Sequence, residues 1–153
     1  MEPTLGEIRK IHELSDTVLY PEAVAFIKQL TLEDSDPIPP SQIMGLLSIA
    51  NSHTYADLYK FVTHQRDRDW SQKKENIKVF YTNLEKYLTG MRLRRLKEEL
   101  HLVREGLDAR QAKLMAEDIM KLLAQDFIQH LAAENNRLVA NTGEGQNHGR
   151  RQR

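Results

Sequence analysis

The chain has 153 residues, the size of one domain, and can bury a core without disulfide staples. Lys+Arg and Asp+Glu number 22 each, so the total charge does not announce a strongly basic nucleic-acid-binding domain. The absence of cysteine excludes a disulfide scaffold, thiolate zinc sites, iron–sulfur clusters and a cysteine nucleophile. No apolar run approaches the roughly 20 residues of a membrane span and the acidic N-terminus is no signal peptide, so a soluble, cytoplasmic protein without membrane contact is expected.

Hydrophobic periodicity of about 3.6 residues dominates the chain, and no convincing period-2 strand occurs. Thr4 and Glu7 form a capping box ahead of a helix with Leu5, Ile8, Ile11 and Leu14 on one face. Tyr20-Pro21 is expected to interrupt it, since a residue before proline avoids helical angles, and Pro21 suits the first position of a second helix. That helix buries Ala23, Phe26, Ile27 and Leu30, and the acidic, proline-rich stretch 31–40 is a loop. Ser41 opens a third helix, with Ile43, Met44, Leu46, Leu47 and Ala50 apolar. Thr54 and Asp57 open a fourth, with Tyr55, Leu58, Phe61 and Val62 inward, fraying at 64–69.

The longest periodic segment runs from Ser71 to about Arg104, through Ile77, Phe80, Tyr81, Leu84, Tyr87, Leu88, Met91, Leu96, Leu100 and Val103. Thr89-Gly90 marks a kink or break in it, and Gly106 suits its C-terminal cap. Asp108 and Gln111 form a second capping box before a last helix carrying Ala112, Met115, Ile119, Leu122, Leu123, Phe127, Leu131 and Leu138. A short connection at Gly106 folds the two longest helices antiparallel and buries Phe80, Leu84, Leu88, Leu123 and Phe127 together. The fold expected is an all-α bundle of five to six helices over 1–140. A tail at 141–153, rich in Gly, Asn, Gln and Arg, is expected to be disordered.

Neutrality conceals segregation. Residues 1–40 carry net −5 and residues 41–104 net +5. Arg66, Arg68, Lys73, Lys74 and Lys78 gather before and along the start of the long helix, and Arg92, Arg94, Arg95 and Lys97 follow Gly90. Bases one turn apart share a face, and such a row can follow a phosphate backbone without reading bases. The competing interpretation is a solvated face, in which Glu98 and Glu99 pair with Arg94 and Arg95. Trp70 is either a stacking surface for a single strand or, preferably, a core anchor at the helix entry, with Arg66–Asp69 and Arg68–Asp67 salt bridges beside it.

No catalytic constellation stands out. The six histidines show no HExxH-like spacing, and neither a G-x-S-x-G elbow nor a glycine-rich phosphate loop is present. A non-enzymatic protein with no cofactor and no metal is expected. A protein-interaction adaptor without nucleic acid, built around the N-terminal helices, is the alternative to an RNA-binding role.

A proline-ended loop followed by Ser41-Gln42-Ile43, a basic helical middle and the amphipathic segment from Met120 to Ile128 together resemble the small helical subunit of type III CRISPR effector complexes, Csm-type more than Cmr-type. In that family a Thr/Ser-Gln-Ile-Arg segment opens a helix near the N-terminus; here Met44 stands where arginine is common. The resemblance implies a non-catalytic subunit of an antiviral ribonucleoprotein. Its partners would be guide and target RNA, larger subunits and copies of itself. The residues that match the backbone-contacting role by chemistry are Arg66, Arg68, Lys73, Lys74, Lys78, Arg92 and Arg95.

Overall fold

The computed structural model describes residues 2–32 and 36–151, with side chains through Asn141. The side chains past Asn141 of the tail expected to be disordered, and residues 33–35 of the loop expected at 31–40, therefore lie outside what is described. The remainder is all-α, with no strand among the described residues: α1 (Leu5–Leu14), α2 (Tyr20–Leu32), α3 (Pro40–Ser52), α4 (Tyr55–Asp67), α5 (Glu75–Gly90) and α6 (Ala109–Arg151).

The three capping sites do what their residue types allow. Glu7 N–H bonds Thr4 Oγ1 while Thr4 N–H bonds the Glu7 carboxylate at 2.8 Å, closing the first capping box. Asp57 N–H bonds Thr54 Oγ1 at 3.2 Å, and Gln111 N–H bonds Asp108 Oδ1 at 2.7 Å. The third helix starts one residue earlier than Ser41. Pro40 takes the first helical position, where its missing N–H costs nothing, and the Pro39 carbonyl receives Gln42 and Ile43 N–H.

Two expected breaks are absent, for one physical reason. Between α1 and α2 the chain continues through a π-helical segment, Ser15–Leu19, in which Tyr20 N–H bonds the Ser15 carbonyl. The wider ladder carries the chain past Pro21 without a stop. After Gly90 the helix also does not break. It widens into a second π-helical segment, Met91–Glu99, with Gly90 itself in ordinary helical angles. The buried positions there are Met91, Leu96 and Leu100. The first step, of five residues, matches an i→i−5 ladder and not an α-helical one.

The end of this segment corrects the expected cap. His101, at φ +51, takes the left-handed position. Leu100 N–H bonds the Arg95 carbonyl and Leu102 N–H the Leu96 carbonyl, both at 2.8 Å. This is a Schellman-like closure widened to suit the π ladder. Gly106, at φ +81, instead serves the turn leading into α6, in a conformation that glycine adopts without a Cβ penalty.

The buried apolar residues form one core. α6 lies principally against α2 and α3, and α5 against α4. The backbones of α5 and α6 are thus not a close antiparallel pair; aromatic side chains bridge them. Tyr87 stacks on Phe127 with centroids 3.9 Å apart, and Phe26 meets both Phe80 and Phe127 edge-on. The expected core set of Phe80, Leu84, Leu88, Leu123 and Phe127 is buried throughout. Met44, read as part of an apolar stripe, is instead 55% exposed.

Candidate nucleic-acid interface

α4 and α5 run antiparallel across a polar seam. Tyr59 Oη–H donates to Glu85 Oε1 at 2.8 Å and Thr89 Oγ1–H to the same oxygen at 2.7 Å. These bonds hold the Glu85 carboxyl below its ordinary range, with Arg66 adding to the effect. Arg66 Nη1 stands 3.6 Å from Glu85, and its Nε and Nη2 clasp the two Asp67 oxygens at 2.8 and 3.0 Å. Arg66 is therefore engaged by carboxylates of its own chain, and its partner is Asp67 rather than the expected Asp69.

The turn that follows is pinned by the single tryptophan. α4 keeps its helical form to Asp67, further than the expected fraying, and Arg68 leaves it in extended conformation. The Trp70 indole N–H donates to the Gln65 carbonyl at 2.7 Å, and the ring packs, half-buried, against the core. The anchor role for Trp70 is the one its geometry fits. The Arg68 guanidinium lies over that ring at 4.8 Å, a cation–π interaction in place of the expected pair with Asp67. A short 3-10 turn, Gln72–Lys74, then enters α5. Lys78 Nζ reaches back to the Arg66 carbonyl at 3.2 Å, placing a positive charge at the negative end of α4. Arg68, Lys73, Lys74 and Lys78 are all exposed. Among the described residues none of the four is in an ion pair.

The second basic cluster is employed differently. Arg95 Nη1 bonds both oxygens of Glu22 on α2, at 2.7 and 2.9 Å, while its Nε and Nη2 bond Glu99 at 2.9 and 3.1 Å. Its guanidinium also faces the Tyr87 ring, and its side chain is 14% exposed. Arg92 pairs with Glu117 of α6 at 3.3 Å, and Arg94 with Glu99 at 3.6 Å. Arg92 and Arg95 are thus clamps that bolt the second π-helical segment to α2 and α6, apart from the α4–α5 turn. The expected pairing of this cluster with Glu99 is present; Glu22 and Glu117 are partners that only the fold supplies.

A third clamp has no signal in the sequence. Arg104 Nε donates to Glu7 Oε2 at 2.9 Å across 97 residues of chain. The Arg104 bonds, helped by those from Thr4, hold the Glu7 carboxyl at about 2, against an ordinary 4.5. A depressed carboxyl stabilises the fold fully above its unfolded pKa, and the contribution disappears as pH falls from about 4.5 toward 2. Glu7→Gln should accordingly be less stable than the parent at neutral pH, with the difference closing at acid pH. Urea midpoints measured across that range check it, and a gap that widened on acidification would refute the clamp.

Among the described residues no three His, Asp or Glu side chains converge as a metal site would need, and no helix is long and apolar enough to cross a membrane. No family model, curated protein or solved structure matches the chain.

Proposed function

We propose that this protein is a non-catalytic, RNA-backbone-binding subunit of a cytoplasmic type III CRISPR ribonucleoprotein, acting in antiviral defence beside larger subunits and copies of itself. Guide or target RNA is held through its phosphates at the α4–α5 turn. The observation that carries this reading is the exposure of Arg68, Lys73, Lys74 and Lys78 around a turn that Trp70 fastens to the core. Arg68 and Lys78, already held by the Trp70 ring and the Arg66 carbonyl, lose little freedom on binding, and a guanidinium stacked on indole keeps its N–H edge for phosphate oxygens. Arg66, held by Asp67 and Glu85, and Arg92 and Arg95, held by Glu117, Glu22 and Glu99 away from that turn, are not assigned phosphates. Several copies along one strand multiply a weak individual affinity.

The test is the fourfold change of Arg68, Lys73, Lys74 and Lys78 to alanine. RNA affinity should fall, and the slope of log K against log salt should flatten by about 1 for each phosphate no longer neutralised. Helicity should be unchanged. Parent-like RNA binding by this variant, both alone and within an assembled complex, would remove the phosphate role. A second reading, a protein-interaction adaptor without nucleic acid, is favoured by the consumption of Arg92 and Arg95 in internal ion pairs, and it would then take precedence.

A further inference from the structure

Leu93 is 74% exposed, and it stands between two apolar grooves. On one side lies a groove of about 400 Å³, floored by Tyr55, Ala56 and Tyr59 of α4. On the other lies one of about 320 Å³, floored by Leu96, Ala112 and Ala116. The second π-helical segment is the cause: with Met91, Leu96 and Leu100 turned inward, Leu93 is left as a ridge on the outer side.

The charged groups around this ridge that stand outside ion pairs among the described residues are of one sign. Lys60, Lys97 and Lys113 border the grooves, all exposed, and none is in an ion pair among the described residues. The carboxylate lining the first groove, Glu117, is 3.3 Å from Arg92 and engaged there. The Tyr59 hydroxyl is turned to Glu85 and Thr89. An apolar floor beside a carboxylate and a hydroxyl that are already partnered suits an aliphatic stripe better than a phosphate backbone. Uncompensated lysines at the rim select carboxylates. We infer that this double groove docks an acidic, amphipathic α-helix of a partner protein, whose apolar stripe straddles Leu93 while Lys60, Lys97 and Lys113 face its flanking carboxylates. Such a helix meets a groove through apolar residues at i, i+3, i+4 and i+7. The surface is distinct from the Arg68–Lys78 turn, so this inference stands or falls independently of RNA binding.

The experiment selects peptides from a random display library on the full chain, with Leu93→Asp protein as the counter-selection. The expected winners carry apolar residues at helical spacing flanked by Glu or Asp. Their affinity, read by fluorescence anisotropy, should fall about tenfold or more for Leu93→Asp. It should also fall for the combined Lys60→Glu, Lys97→Glu and Lys113→Glu variant, and with rising salt. Leu93→Ala serves as a milder second variant, and circular dichroism should show unchanged helicity in each. The inference is overturned if no peptide family emerges, if the winners are basic, or if their binding ignores Leu93. It is equally overturned if sedimentation shows a self-associated chain that Leu93→Asp dissociates, or if RNA that still binds the fourfold turn variant displaces the peptides.

Discussion

Phe127→Ala should lower the free energy of unfolding by about 3–5 kcal/mol, the range for deleting a fully buried aromatic ring. Phe127 is 1% exposed, stacked on Tyr87 and edge-on to Phe26. It fills the space where α2, α5 and α6 meet, and α5 and α6 meet through side chains rather than close backbones. Neighbouring helices therefore cannot easily collapse into the vacated volume, which places the cost toward the upper end. Urea or thermal unfolding followed by circular dichroism measures it. A loss below about 1 kcal/mol would mean that the ring does not join these helices.

Asn135→Ala should be comparably severe for a different reason. Asn135, 1% exposed, is one of the few buried polar residues. Its Oδ1 accepts Ile38 N–H at 2.9 Å, and its Nδ2–H donates to the Ile38 carbonyl at 2.7 Å. Both backbone groups of a residue in the α2–α3 connection are satisfied by one amide from α6. Ile38 is itself 1% exposed, so truncation leaves two buried groups without partners, at about 1–3 kcal/mol each. Asn135→Asp keeps an acceptor and loses the donor, so it should still destabilise the fold. The same unfolding measurements check both variants, and a loss within about 0.5 kcal/mol for Asn135→Ala would mean that water replaces the amide.

These two residues mark how far the sequence can be read. Phe127 was legible because an apolar residue at the right point of a 3.6-residue period is buried whatever covers it. Asn135 was not, since nothing local distinguishes an amide in a solvated turn of helix from one buried against a distant loop.

The same division runs through the candidate site. The two basic clusters were visible as charge density, and so was the choice between phosphate binding and ion pairing. What separated them was long-range geometry. Glu22, 73 residues before Arg95, and Glu117, 25 residues after Arg92, turn those arginines inward. Arg68, Lys73, Lys74 and Lys78 meet no such carboxylate among the described residues. The π-helical segments were half-legible: the five-residue step from Met91 to Leu96 stands in the sequence. A single irregular step also fits a break, and only packing on both sides selects the continuous, widened helix.

The sequence by itself determined the all-α class, the side-chain N-caps at Thr4, Thr54 and Asp108 and most of the core, Met44 and Leu5 being exposed instead. These follow from periodicity and from side-chain bonds spanning three or four residues, which are interactions a chain makes with its near neighbours. The tertiary structure alone decided which charges are clamps and which remain open. It also decided that Leu93 stands outside and that His101 rather than Gly106 ends the long helix. Each of these depends on groups brought together across tens of residues or on the strain that a packed neighbourhood can impose, and local pattern holds no record of either.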